Sequence, residues 1–116
     1  MKHSDRFGSI YAHSSGMLVP DPAWLAKLDD PDDASCFVQA DRLHARIAGG
    51  ERAPVITFDC GVDDFTLDGN RELHAHMETI GLEHTYREFP GAHTWDYWDE
   101  HVQEAIAQHA RVLGIG

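Results

Sequence analysis

The sequence is poor in basic residues. Nine Lys and Arg stand against 20 Asp and Glu, a formal net charge of −11 at pH 7 with His neutral. A protein that grips a phosphate backbone needs a basic face to displace counterions, and one that docks on anionic lipid needs the same. The charge therefore argues against nucleic acid and against a membrane as partners. Long apolar runs are absent as well, none approaching the ~18 residues that cross a bilayer. Nothing apolar follows Met1-Lys2-His3-Ser4-Asp5-Arg6, so this start does not read as a signal peptide, and a cytoplasmic location is expected. Cysteine is scarce. Cys36 and Cys60 lie far apart and match no metal spacing, so two free buried thiols are the default expectation and a disulfide the unsupported alternative; no metal and no cofactor are expected. No repeat or low-complexity tract is present.

What remains is the composition of an ordinary globular domain. Hydrophobic residues make up 42% and charged residues 25% of 116, enough for one small domain with a modest core. Phe7 to His13 reads as a first strand. An irregular excursion follows over 17–34, rich in proline and acid, with room for a short helix through Trp24, Leu25 and Leu28. From Ser35 the apolar residues Cys36, Ala40, Leu43 and Ile47 step by four, three and four, one face of a helix that Gly49-Gly50 ends. Pro54 to Cys60 is a short apolar run of the kind found in a strand covered on both faces. A second helix is expected from Asp68 to Ile80 with Leu73, Met77 and Ile80 buried. A third strand is expected from His84 to Phe89. A last helix carries Trp98, Val102, Ala105, Ile106, His109 and Leu113.

Strands alternating with helices predict an α/β fold: about three parallel strands joined by crossover helices. In such a sheet the residues after each strand emerge at one carboxyl edge, where ligands bind. Asp63 and Asp64 follow one strand, and Gly91-Ala92-His93-Thr94 follows the next. A carboxylate and an imidazole should therefore meet. A carboxylate bonded to one ring nitrogen fixes the tautomer and steadies the cation formed when the other accepts a proton, which is the base half of a nucleophilic triad. The same residues also suit plainer duties, the Asp as a helix cap and the His as a partner for backbone groups after the Pro-Gly turn.

Asp59-Cys60-Gly61-Val62-Asp63-Asp64-Phe65 resembles the acid loop of the serine esterases related to esterase D. Asn70-Arg71-Glu72-Leu73-His74 continues the likeness. Glu88-Phe89-Pro90-Gly91-Ala92-His93-Thr94-Trp95-Asp96-Tyr97-Trp98 is similar to the histidine loop of that family's tributyrin and feruloyl esterase-like members. The resemblance implies an α/β-hydrolase, a small-molecule ester as substrate, Asp64 as triad acid and His93 as triad base, with Asp63 its neighbour and Asp59 too early in the turn. It implies a cap-like insertion over 17–34 and an acid- and histidine-bearing unit over 54–113.

The departure from that family is the nucleophile. Its fold needs a Gly-x-Ser-x-Gly elbow ahead of the acid, and none of Ser4, Ser9, Ser14, Ser15 and Ser35 has glycines two positions before and after. Ser14 and Ser15 end a strand, but a proline-rich stretch rather than a helix follows them. The chain is thus expected to be the C-terminal portion of one hydrolase domain, residues 1–116, with the N-terminal half of the fold missing, the nucleophile upstream and no activity alone. The rival expectation is a non-catalytic α/β module that complements a separate half or self-associates through an exposed sheet edge. Trp95 and Trp98 are candidates to line a substrate pocket, although at least one of Trp95, Tyr97 and Trp98 should anchor the core. His74 and His76, two apart on a helix, project to roughly opposite sides and form no zinc spacing with His84 and His93.

Overall fold

The computed structural model describes residues 1–15, 23, 26–30, 32 and 35–115. Most of the excursion expected over 17–34, including Trp24 and Leu25, lies outside the described residues. The elements are β1 (Ser9–His13), α1 (Cys36–Ala48), β2 (Val55–Gly61), α2 (Leu67–Ile80), β3 (Thr85–Phe89) and α3 (Trp95–Leu113). All three strands are parallel, with β2 between β1 and β3. Parallel neighbours need a crossover, and α1 and α2 supply the two. The first strand begins two residues later than expected, at Ser9.

Because the strand order never reverses, crossovers of one hand put α1 and α2 on the same face of the sheet. That face is apolar. Ala40 and Leu43 of α1, Leu73 and Met77 of α2, Ile56 and Phe58 of β2, and Leu82 form the core, with Ile10 and Ala12 of β1 packed against it. Ser35 starts α1 by accepting the Val38 N–H at 3.3 Å. Gly81 ends α2 at φ +76, a left-handed conformation that costs glycine little. Cys36 and Cys60 are free thiols, Cys60 fully buried and Cys36 half-buried.

The other face of the sheet carries Ser9, Tyr11 and His13 of β1 and Val55, Thr57 and Asp59 of β2, so it is mostly polar. α3 packs there, and in doing so departs from the expected pattern. Val102, Ile106 and Leu113 are 40%, 62% and 61% exposed. The buried positions are Tyr97, His101, Ala105 and Gln108. The cause is the surface that α3 meets. Gln108 donates from Nε2 to Ser9 Oγ and to the Ile10 carbonyl, both at 3.0 Å, and its Oε1 accepts from the Thr57 hydroxyl. Tyr97 donates to Asp59 Oδ1 at 2.8 Å. Buried polar groups on the sheet require polar partners, so the helix turns its hydrogen-bonding side chains inward and its aliphatic ones out.

Candidate active site

The carboxyl ends of β2 and β3 lead into two loops that touch. After Gly61 the chain turns, and the Val62 and Asp63 N–H groups donate to the carbonyls of Phe89 and Gly91, each at 2.9 Å. The approach is close enough that a Cβ on Gly61 would lie 2.3 Å from the Gly91 carbonyl oxygen. Gly91 itself has φ +132, and its missing side chain leaves room for the Tyr97 ring.

Asp64 closes the first of these loops. It is 5% exposed, and both its oxygens are engaged. Oδ1 accepts the Thr66 N–H at 2.8 Å and the Thr66 hydroxyl at 2.7 Å. Oδ2 faces His93 Nδ1 at 3.0 Å. Burial pushes the Asp64 carboxyl up, but the Thr66 hydroxyl, the Thr66 N–H and the His93 ring together outweigh it and hold the group below its ordinary value. An ionised carboxylate only accepts, so His93 Nδ1 carries the proton, and in the neutral ring Nε2 is the acceptor. Asp64 is not the cap of α2, whose N-cap is Thr66: one of its oxygens bonds Thr66 in the turn ahead of the helix, and the other faces the imidazole. Asp63 is exposed and Asp59 points elsewhere.

The second loop delivers His93 just before Thr94, whose hydroxyl accepts the Tyr97 N–H at 3.4 Å and starts α3. Trp98 meets the His93 ring edge-to-face at 4.8 Å, and Trp95 meets Trp98 in the same way at 5.1 Å. Phe65 lies 4.9 Å from the His93 ring. Of the three aromatics after His93, Tyr97 is the core anchor at 3% exposed, while Trp95 is 82% exposed.

A second carboxylate–imidazole pair was missed by the sequence reading. Asp59, fully buried, accepts the His13 Nδ1–H at 2.9 and 3.0 Å as well as the Tyr97 hydroxyl. Period-two alternation on β1 and β2 puts His13 and Asp59 on one face and side by side in the sheet, and that was the available signal. Thr66, the main support of Asp64, was also missed; an Asp-x-Thr turn before a helix could have indicated it. Of the other histidines, His74 Nδ1 meets His84 Nε2 and His76 Nε2 meets Asp41, both at 2.7 Å. Among the described residues no three His, Cys, Asp or Glu side chains converge on a point where a metal ion could sit, and no helix is long and apolar enough to cross a membrane.

A family model described as "Putative esterase" matches residues 1–109. The chain belongs to this esterase family. An acetyl esterase of Caldicellulosiruptor saccharolyticus is 34% identical over 59 residues, which are 51% of this chain and 22% of that one. A solved ferulic acid esterase superposes with a TM-score of 0.65 at 27% identity, over 95% of this chain and 44% of the other. An S-formylglutathione hydrolase from Staphylococcus aureus gives a TM-score of 0.50 at 26% identity, over 56% of this chain and 26% of the other. The esterase chain thus spans less than half the length of each of these three relatives. Its three parallel strands and their helices are a part of the α/β-hydrolase fold.

Proposed function

We propose that this chain supplies the acid and the base of a serine carboxylic ester hydrolase working through an acyl-enzyme. The observation that carries the reading is the Asp64–His93 pair: a buried carboxylate fixes Nδ1–H and leaves Nε2 as the proton acceptor. In such a reaction a serine hydroxyl attacks the ester carbonyl. His93 Nε2 takes the hydroxyl proton and returns it to the departing alcohol. Water then attacks the acyl-enzyme, His93 again accepting the proton, and the acid leaves. Asp64 orients the ring and stabilises the imidazolium. Trp98, packed on the His93 ring, and Trp95, packed on Trp98, are the proposed pocket residues. The names of the relatives support a small-molecule ester as substrate, and they differ in its acyl part.

In this reading the nucleophile is not one of the chain's own serines. No Gly-x-Ser-x-Gly is present, and what supports the reading further is how the serines are used. Ser4 Oγ donates to Glu51. Ser9 Oγ serves Gln108 and His109. Ser35 caps α1. Ser14 is 3% exposed, its hydroxyl buried without a partner among the described residues. Alone, the 116-residue chain is expected to leave esters intact.

The test is p-nitrophenyl acetate turnover together with labelling by a fluorophosphonate probe. Neither a burst nor a covalent adduct is expected. A burst with the adduct on Ser14 or Ser15 would refute the assignment of the nucleophile to another segment.

A further inference from the structure

His93 sits in a short loop, its side chain is 33% exposed, and one hydrogen bond ties it to Asp64. A single bond leaves the ring free to swing about the Nδ1···Oδ2 line and lets water compete for the proton. The faces and edges of the ring must be held by something else. Trp98, in the first turn of α3, holds one side. On another lies Phe65, whose situation is unusual. It follows Asp64 directly, so the acid and the aromatic ring belong to one turn. That turn is pinned by the Asp64 N–H bonded to the Gly61 carbonyl and the Leu67 N–H bonded to the Asp64 carbonyl, each at 3.1 Å. Yet Phe65 is 82% exposed. A phenyl ring left in water contributes little to the core, and the ring contact this one makes is with His93, at 4.9 Å and tilted 56°.

We propose that Phe65 is a positioning residue for His93. Its ring and that of Trp98 hold the imidazole so that Nδ1–H stays on Asp64 and Nε2 faces outward. This role rests on the reading of His93 as the base, because only then does the orientation of Nε2 matter. Aromatic contacts of this geometry shift the ratio of held to released conformers by roughly 2- to 10-fold. The indole edge of Trp98 remains in the variants below, so the expected effect is a loosening of the ring and not its release.

The experiment is ¹⁵N-edited NMR of the histidine side chains in the whole chain, reading solvent exchange of the His93 Nδ1–H and the tautomer of the ring. In Phe65→Ala, exchange should accelerate roughly 2- to 10-fold, with amide shifts in the sheet unchanged because the residue removed is exposed. Phe65→Trp should restore slow exchange, which a merely structural loss would not. Exchange unaltered in Phe65→Ala overturns the proposal, and so does acceleration that Phe65→Trp fails to rescue. Asp64→Asn is the separate arm. If it leaves the His93 proton and tautomer unchanged, the acid–base pair itself is refuted and the positioning role falls with it. If Asp64→Asn acts and Phe65→Ala does not, only the positioning role fails.

Discussion

The Tyr97 hydroxyl donates at 2.8 Å to Asp59, a carboxylate with no solvent exposure. This bond ties the middle strand to the first turn of α3, three residues after Thr94 starts that helix. Burial and the bond to Asp59 both push the Tyr97 phenol up, which keeps the proton on its oxygen at neutral pH. Tyr97→Phe keeps the ring but removes one of the hydrogen-bond donors to the buried Asp59 carboxylate. Loss of about 1–3 kcal/mol is expected, the range for stranding a buried hydrogen-bonding group. Urea denaturation measures it, and an unchanged midpoint would count against the bond.

Thr66→Val tests the support under Asp64. Valine keeps the shape and the N–H but removes the hydroxyl that donates at 2.7 Å. A hydrogen bond to a charged group contributes about 1.5–3 kcal/mol, and a loss in the lower part of that range is expected because two donors remain. The Asp64 carboxyl should also titrate at higher pH than in the wild type, since one of the groups holding it down is gone. Carbon-detected NMR titration of the carboxyl reads that shift directly.

Acid stability should depend on Glu88. The Arg71 guanidinium grips it with two bonds of 2.8 Å, and the Tyr86 hydroxyl adds a third. Arg71 first, with Tyr86 after it, holds the Glu88 carboxyl at about 2 against an ordinary 4.5. A carboxyl lowered on folding stabilises the protein fully above its unfolded value, and that contribution disappears as pH falls through the folded one. The loss should therefore run from pH 4.5 down to about 2. Glu88→Gln should flatten that part of the stability profile. Since Arg71 is half exposed, the effect at neutral pH should be small. A profile of denaturation midpoint against pH for both proteins decides it.

Gly61→Ala should be among the most damaging single substitutions. The added methyl would meet the Gly91 carbonyl oxygen at 2.3 Å and its carbon at 2.6 Å, backbone atoms that cannot step aside like a side chain. Several kcal/mol of destabilisation is expected, in the exceptional tail of single substitutions. Soluble expression and circular dichroism would show it, and a stable Gly61→Ala protein would refute the close approach.

Much of this was legible in the sequence because local signals and topology agreed. Glycine at 81 and serine at 35 marked helix ends, and the alternation of strand and helix predicted a parallel sheet whose carboxyl edge brings Asp64 and His93 together. The interior face of α3 was not legible. Hydrophobic periodicity ranks Val102, Ile106 and Leu113 as core residues, whereas the sheet face opposite them holds Ser9, Thr57 and Asp59 and selects Gln108 and Tyr97 instead. Which strand residues a helix will meet is a long-range fact, and a polar pair buried between two elements leaves no period in either. His13 and Asp59 lie far apart in sequence, and although alternation gives each its face, their meeting depends on how β1 aligns with β2.

The alternation along β2 has a consequence for the geometry at its end. Ile56 and Phe58 face the apolar helices, and Thr57 and Asp59 face α3. A slip of one residue in register would exchange the two faces, driving Asp59 into hydrocarbon and pulling Phe58 out of it. Asp59 thus acts as a proofreading mark on the strand: it admits one alignment and penalises its neighbours. Because Asp64 follows a few residues along the same chain, the mark also measures out where the loop begins.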